Sequence, residues 1–274
     1  MHACGMIEGI MFTNSYDALM FWKNKGIDLF EIDIDIAEDG EYVAIHDFSQ
    51  NTLENMGIEA TQGYHSSIWF SKQKLYKHKT KRGLQPLLLQ DIFLLMSENT
   101  QMKIMIDPKL FSYEETKALL IKIKEYCMKY SVEEYRIFFE CYNIDMIRAT
   151  KGVLGEFQYQ YCFDEDVQVG NSKITREMEI NDLIDFLKKY NVAAISYPWK
   201  LAIENLEKLR ILKKAGFIIF SRTRNNIFEE LLQLAGIDIN LVDYLVDENE
   251  RKQLRKYKEQ YLLQYEQRVK KYFT

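Results

Sequence analysis

The residues best suited to chemistry begin with a run of acids near the start of the chain. Glu31, Asp33 and Asp35 alternate with isoleucines in the pattern of a β-strand, which places the three carboxylates on one face. Carboxylates buried in this way must be protonated, paired with cations or bound to a metal, because desolvating a charge is costly. A bound divalent cation would offset this desolvation penalty, and a ligand set made only of oxygens favours Mg²⁺ or Ca²⁺ over zinc. The alternative is an exposed edge strand.

The second run that could carry chemistry is His46 followed by Asp47. Asp39 and Gly40 predict a tight turn, and a strand over residues 42–46 then delivers His46 to its carboxyl end. In an α/β barrel that end is the catalytic face. Histidine exchanges a proton near neutral pH, and an adjacent carboxylate can orient its ring or raise its pKa. The run therefore predicts acid–base catalysis by His46.

A third arrangement, Asp107 and Lys109 on either side of a proline, follows a later apolar run. It offers one more carboxylate, together with a cation that can hold a phosphate oxygen as a point charge. By itself this motif does not decide between a functional site and a structural ion pair.

The elements that must position these residues alternate between β-rich runs and amphipathic helices, which indicates parallel strands joined by helical crossovers. We predict strands at residues 29–36, 42–46, 103–107, 135–141, 157–163, 193–197, 216–222 and 242–246. We predict helices at residues 15–25, 88–97, 113–130, 181–190, 203–215 and 227–235. The chain has 274 residues and no Pro- or Gly-rich linker, so we predict one (β/α)8 TIM barrel over residues 1–247.

Two segments fall outside this repeat. Residues 48–86 are polar and aromatic, with a Lys-rich patch between Lys72 and Arg82, and we predict an excursion over the active-site face that acts as a substrate lid. The alternative is an ordinary solvated loop. Residues 248–274 predict a basic C-terminal amphipathic helix, which either contacts an anionic membrane surface or packs against the barrel or a second subunit. Its apolar stripe comprises Leu254, Tyr257, Tyr261, Tyr265, Val269 and Phe273.

Charge and composition narrow the class of protein. The last 27 residues carry eight Lys/Arg against four Glu, a net charge of +4, whereas the preceding 247 carry 28 Lys/Arg against 37 acids, a net charge of −9. An acidic body argues against a nucleic-acid partner. No apolar run has the length of a membrane span and no signal sequence opens the chain, so we expect a cytoplasmic enzyme. The cysteines show no metal-ligand spacing and predict unbridged thiols, with Cys141 and Cys162 in strands.

Taken together, these runs resemble the glycerophosphodiester phosphodiesterase family, which is related in fold to the phosphatidylinositol-specific phospholipases C. The family's pattern is His-Arg-Gly, Glu-Asn-Thr, Glu-x-Asp, Asp-Gly, His-Asp and Glu-x-Lys. The corresponding runs here, in the same order, are His2-Ala3-Cys4-Gly5, Thr13-Asn14-Ser15, Glu31-Ile32-Asp33, Asp39-Gly40, His46-Asp47 and Asp107-Pro108-Lys109. Residues 85–87, 220–225 and 242–247 look like later segments of the family.

The resemblance implies metal-dependent hydrolysis of a glycerophosphodiester or related small-molecule phosphodiester, in phospholipid or surface-polymer metabolism. A substrate hydroxyl or water would attack a metal-polarised phosphorus, while one histidine removes a proton and the other protonates the leaving alkoxide. The implied metal ligands are Glu31, Asp33 and Asp107, the implied acid and base are His2 and His46, and the implied phosphate-binding residues are Asn14 and Lys109. His2 is selected by the resemblance alone.

The chain departs from the family at three places. Ala3 and Cys4 stand where the family has an arginine, which removes a phosphate contact, and Asp107 is shorter than the family's Glu. Only Met1 precedes His2, where the family has its first strand, so we hypothesise that the natural chain begins upstream; a native mass of 32.7 kDa would refute this. Two other functions stay open: a non-catalytic domain that binds a phospho-glycan or lipid headgroup, and a lyase that forms a cyclic phosphate.

Overall fold

The computed structural model describes residues 1–37, 39–57, 84–153, 155–162, 178–257 and 259–273. Over these residues eight strands form one sheet in the order β2-β1-β3-β4-β5-β6-β7-β8. The strands are β1 (Leu29–Ile36), β2 (Tyr42–Ala44), β3 (Lys103–Pro108), β4 (Ile137–Cys141), β5 (Gln158–Cys162), β6 (Val192–Pro198), β7 (Ile218–Asn225) and β8 (Ile239–Tyr244). The helices are α1 (Tyr16–Lys23), α2 (Gln50–Asn55), α3 (Leu89–Glu98), α4 (Tyr113–Tyr130), α5 (Ile144–Lys151), α6 (Ile180–Lys189), α7 (Trp199–Glu204), α8 (Leu206–Lys214), α9 (Glu229–Leu234), α10 (Glu248–Tyr257) and α11 (Glu259–Phe273).

The neighbouring strands from β1 through β3 to β8 all pair in parallel, and helices alternate with them along the chain. Residues 1–6 lie between the two ends of this parallel series. The backbone N–H of Glu31 donates to the Met1 carbonyl at 2.7 Å, and that of Met6 donates to the Asp243 carbonyl at 2.6 Å. Strands β1 and β8 are thereby linked through one segment, and the predicted α/β, TIM-barrel class is confirmed.

The strand predicted at residues 42–46 is present, but the prediction that it belongs to the parallel series is wrong. β2 is three residues long and pairs antiparallel with β1. The turn that joins them contains Gly40 at a φ of 81°, a conformation that glycine adopts without strain. A turn this short can connect only antiparallel neighbours, since a parallel pair needs a crossover of a dozen or more residues. His46 therefore follows a hairpin rather than a barrel strand.

The hairpin and α2 have a small apolar core of their own, which we call the hairpin core. It consists of Ala37, Val43, Ile45, Phe48, Leu53, Met56 and Leu88. Its members are at most 8% exposed, and they form a cluster distinct from the main one between the sheet and the helices. The hairpin core thus fixes the segment that carries His46.

The interior of the barrel is filled at one level by an apolar layer, which we call the barrel floor. Its buried members all belong to strands and are Met105, Phe138, Ala194, Phe220 and Leu241. Because side chains alternate along a strand, the residue two positions further on points into the same interior. On all five of these strands that residue is polar and buried or largely buried: Asp107, Glu140, Ser196, Arg222 and Asp243. The floor therefore supports a polar layer above it.

Two helical features were not predicted. Helix α5 begins after Asn143, whose side chain accepts a hydrogen bond from the Met146 N–H and so caps the first turn. The single helix predicted at residues 203–215 is divided at Asn205, where φ is −117° and ψ is 39°. The Asn205 amide donates to the Leu201 carbonyl at 2.8 Å, a local side-chain bond of the kind that competes with helix continuation.

The C-terminal segment forms two helices, α10 and α11, rather than one. On α11, Val269 is fully buried, and Tyr265 packs edge-on against Trp199 with 5.5 Å between ring centroids. The described part of the apolar stripe thus packs against the barrel, which was one of the two alternatives for this helix. The other, contact with an anionic membrane surface, stays a prediction. Within the described ranges, no helix has the length and apolar character that crossing a membrane requires.

Most of the predicted excursion over residues 48–86, including its Lys-rich patch, lies outside the described residues. Its described beginning contains α2, which borders the candidate site.

All four cysteines are buried thiols, and Cys141 and Cys162 end β4 and β5, as predicted.

Candidate active site

The centre of the candidate site is a cluster of three carboxylates, Glu31, Asp33 and Asp107, each at most 1% exposed. Asp33 and Asp107 lie opposite each other in the parallel pair β1–β3, and Glu31 lies two residues earlier on β1. One oxygen of each lies within 4.8 Å of the others, the only such metal-sized group among the residues that the structure describes. The exposed edge strand considered above is excluded, since β1 lies between β2 and β3 and is buried at its centre.

Asp33 and Asp107 both form an ion pair with the ammonium group of Lys109. Lys109 Nζ lies 2.7 Å from Asp33 Oδ1 and 2.9 Å from Asp107 Oδ2. Burial opposes its charge, but the two carboxylates outweigh that effect and hold the pKa of Lys109 above its usual value. Asn14 lies behind the cluster, donates from Nδ2 to Asp33 Oδ2 at 2.8 Å and accepts from the Asp33 backbone N–H at 3.1 Å.

The cluster fits a divalent cation. Glu31 Oε1 and Asp107 Oδ1 are buried and have no hydrogen-bond partner. Burial raises the pKa of Glu31 to about 8, with Asp33 and Asp107 adding to the rise and His2 opposing it. Buried carboxylate oxygens without partners are expensive unless a cation balances them, and hard divalent ions prefer such ligands. Glu31, Asp33 and Asp107 are the residues that could hold such a cation.

His2 lies at the edge of this cluster. Its Nδ1 is 2.7 Å from Asp243 Oδ1 on β8, and its Nε2 is 3.7 Å from Glu31 Oε2. The adjoining backbone is left-handed at Ala3, where φ is 45°, and the Ala3 N–H donates to Glu31 Oε2 at 2.6 Å. Burial would lower the pKa of His2, but Glu31 and Asp243 outweigh it and raise the pKa.

His46 approaches from the hairpin, with its side chain 51% exposed. Its Nδ1 is 2.7 Å from Asp47 Oδ2, and Asp47 Oδ1 accepts from the Ser49 N–H at 2.7 Å. Burial opposes ionisation of Asp47, yet hydrogen bonds from Ser49 and His46 hold its pKa well below the usual range. Asp47 is therefore a charged orienting group for the His46 ring.

These residues border one cavity of about 510 Å³. Its lining consists of His2, Phe12, Asp33, His46, Asn51, Thr52, Asn55, Asp107, Lys109, Phe111, Tyr142 and Arg222. The structure thus brings both predicted histidines, two of the three predicted metal ligands and Lys109 to a common space. Glu31 and Asn14 do not line it; they lie beneath and support the lining residues.

Sequence reasoning missed Arg222, Glu140, Tyr142 and Asp243. Arg222 forms a short ion pair with the fully buried Glu140 and lies 3.5 Å from the Tyr142 hydroxyl. Glu140 and Asp243 are each the only charged residue of their strands, and that was the available signal. That signal could not be used, because nothing in the sequence shows whether such a residue faces the interior or the solvent.

No family model and no curated protein sequence matches the chain. Solved structures do. A glycerophosphodiester phosphodiesterase from Thermotoga maritima has a TM-score of 0.60 at 20% identity, over 84% of this chain and 88% of the other. One from Parabacteroides distasonis has a TM-score of 0.66 at 14% identity, over 93% and 94%. An Oleispira antarctica phosphodiesterase, in complex with the product sn-glycerol-3-phosphate, has a TM-score of 0.64 at 16% identity, over 86% and 90%. The chain has the α/β-barrel fold of these structures.

Proposed function

We propose that the protein is a metal-dependent phosphodiester hydrolase that acts on a glycerophosphodiester or related small phosphodiester, in phospholipid or surface-polymer metabolism. The observation that carries the proposal is one cavity bordered by two Asp-anchored histidines and by a buried carboxylate cluster of metal-binding size. The likeness in fold to solved glycerophosphodiester phosphodiesterases supports the class of substrate.

The two histidines are arranged alike, which supports a paired acid and base. In each, Nδ1 lies 2.7 Å from an aspartate oxygen, Asp243 for His2 and Asp47 for His46. An Nδ1–H donated to that carboxylate fixes the tautomer and leaves Nε2 to exchange a proton with the substrate. One histidine would accept the proton of the attacking hydroxyl or water, and the other would donate a proton to the departing alkoxide oxygen.

The carboxylates would bind the cation, which when bound supplies positive charge to a phosphoryl oxygen. Lys109 forms ion pairs with Asp33 and Asp107, which restrains both carboxylates, and its side chain also lines the cavity. Phe12, Phe111 and Tyr142 contribute aromatic side chains to the lining, and α2 contributes the polar side chains of Asn51, Thr52 and Asn55. A mixed lining of this kind suits a small hydroxylated alcohol attached to the phosphate.

The first experiment is turnover of glycerophosphodiesters and bis(p-nitrophenyl) phosphate by purified protein with Mg²⁺ or Ca²⁺, with and without EDTA. We expect turnover that EDTA abolishes and that falls strongly in His46→Ala and Asp107→Asn. Asp145→Asn is the matched control, because Asp145 is exposed on α5 and is not among the cavity-lining residues. Turnover by Asp107→Asn at the rate of this control would refute the proposed role of the cluster.

Product analysis in this assay, together with a binding measurement, separates hydrolysis from the lyase reaction and from a non-catalytic binding domain. Release of a cyclic phosphate that is insensitive to EDTA would replace hydrolysis with the lyase reaction. Binding of sn-glycerol 3-phosphate without turnover of any substrate under either metal would replace it with the non-catalytic binding domain.

A further inference from the structure

Arg222 is a cation at the candidate site that the proposed reaction has not yet used. It lies on β7, two residues above the barrel-floor residue Phe220, and borders the cavity with a side chain 25% exposed. Its Nη2 lies 3.9 Å from Asp107 Oδ2, so the guanidinium stands next to the carboxylate cluster.

A buried carboxylate holds this guanidinium from below. Glu140 is 0% exposed and pairs with Arg222 Nη2 through one oxygen, while its other oxygen accepts from Gln160 Nε2 at 3.2 Å. Tyr142 adds a contact at 3.5 Å from its hydroxyl. Glu140 on β4, supported by Gln160 on β5, and Tyr142 just after β4 thus restrain the Arg222 side chain from across the barrel.

The donors of Arg222 are not all satisfied. Its Nε is buried and has no hydrogen-bond partner. A guanidinium carries five N–H donors in a planar fork that matches phosphate oxygens, and an unmade hydrogen bond at a buried donor is costly. An anion in the cavity would satisfy donors that Glu140 and Tyr142 leave over.

The other two residues predicted to bind phosphate, Asn14 and Lys109, have fewer hydrogen-bond donors available for an anion in the cavity. Both ends of the Asn14 amide bond to Asp33, and Asn14 does not border the cavity. Lys109 has three donors, and two carboxylate oxygens lie within 2.9 Å of its Nζ. In addition, the arginine expected after His2 is replaced by Ala3, which has no side-chain donor.

We propose that Arg222 is a substrate-binding residue that donates to a non-bridging phosphoryl oxygen, and that Glu140 is its positioning residue. This inference rests on the proposed function. It assigns to β7 the guanidinium–phosphate contact that the sequence lacks next to His2. The same contact would serve a phosphodiester substrate, a phosphomonoester product or inorganic phosphate, because all present non-bridging oxygens.

The test measures two quantities on the Mg²⁺-loaded protein: calorimetric binding of inorganic phosphate and of sn-glycerol 3-phosphate, and kcat and KM for turnover. The variants are Arg222→Gln, Arg222→Lys and the double variant Arg222→Gln/Glu140→Gln. Arg210→Gln is the matched control, since Arg210 is exposed on α8 and away from the cavity lining. We expect Arg222→Gln to weaken phosphate binding on the order of 10- to 100-fold, because a charge-assisted hydrogen bond is lost, with partial recovery in Arg222→Lys.

The double variant separates binding from a merely structural role. Removal of both partners leaves no unpaired charge where the buried ion pair stood. We therefore expect the thermal stability of the double variant to return towards that of the wild type while its phosphate binding stays weak. Recovery of both stability and phosphate binding in the double variant would overturn the inference. So would unchanged phosphate binding in Arg222→Gln, or the absence of phosphate binding by the wild type.

The phosphate measurement does not depend on turnover, so the two proposals fail separately. Wild-type turnover together with unchanged phosphate binding in Arg222→Gln would retain the hydrolase and reject the Arg222 site. Absence of turnover together with loss of phosphate binding in Arg222→Gln would retain an anion site at Arg222 and reject the hydrolase.

Discussion

Neutralising Glu31 is expected to make the metal-free protein more stable at alkaline pH than the wild type. In the folded state without metal, burial raises the pKa of Glu31 from 4.5 to about 8. The folded protein therefore holds one more proton than the unfolded chain between these values, and its free energy of unfolding falls as pH rises through this window. Below about pH 4.5 this contribution is absent. The shift corresponds to a penalty of at most about 5 kcal/mol above pH 8, and coupling to His2 makes about 3 kcal/mol a reasonable expectation.

The assay is urea unfolding of wild type and Glu31→Gln in EDTA at pH 5 and pH 8.5. We expect the variant to gain about 3 kcal/mol relative to the wild type between the two pH values, and saturating Mg²⁺ to abolish most of that gain. Glu114→Gln, at an exposed position on α4, is the control for loss of one carboxylate. Parallel pH profiles for wild type and Glu31→Gln would refute the reasoning that Glu31 is a buried acid awaiting a cation.

Three further changes test other parts of the site and fold. Asp243→Asn is expected to lower kcat on the order of 10²- to 10⁴-fold with little effect on the melting temperature, because an amide no longer fixes the reactive tautomer of His2; an unchanged kcat would remove His2 from the mechanism. Lys109→Met is expected to lower the free energy of unfolding in EDTA by about 3–5 kcal/mol, since it leaves buried carboxylates unpaired, and by less in Mg²⁺; equal losses in both conditions would contradict a metal at the cluster. Val269→Asp is expected to cost about 3 kcal/mol in urea unfolding because it places a charge at a fully buried contact of α11, and a near-neutral effect would contradict that packing; vesicle cosedimentation with and without residues 248–274 tests the predicted membrane contact separately.

The sequence was informative where one local pattern determined both the element and the direction of its side chains. The alternation of Glu31 and Asp33 with isoleucines is a strand pattern, and period two places both on one face. The run by itself left Asp107 open between a functional residue and a structural ion pair, and only the family resemblance added Asp107 to the metal ligands. Local pattern therefore predicted Glu31 and Asp33, and the structure places Asp107 opposite Asp33 on β3.

The remaining site residues come from parts of the chain that no local pattern connects. Glu140 and Arg222 are 82 positions apart and meet only because the sheet curls. Asp243 reaches His2 across 241 positions for the same reason. The direction of β2, in contrast, was assigned wrongly although the turn predicted at Asp39 and Gly40 was local evidence for an antiparallel hairpin, because so short a connection cannot reach a parallel strand. A side-chain hydrogen bond, at Asn205, divided a helix whose apolar period looked continuous.

The hairpin core has a consequence for how the site could change over time. His46 directly follows Ile45, a member of the hairpin core, whereas the three clustered carboxylates lie on barrel strands and His2 bonds to Asp243 on β8. Substitutions at Val43, Leu53 or Met56 can therefore change the orientation of His46 without moving the three carboxylates. Cation affinity and turnover rate would then vary independently, and the distance between the two histidines could adapt to alcohols of different size while the barrel stays the same.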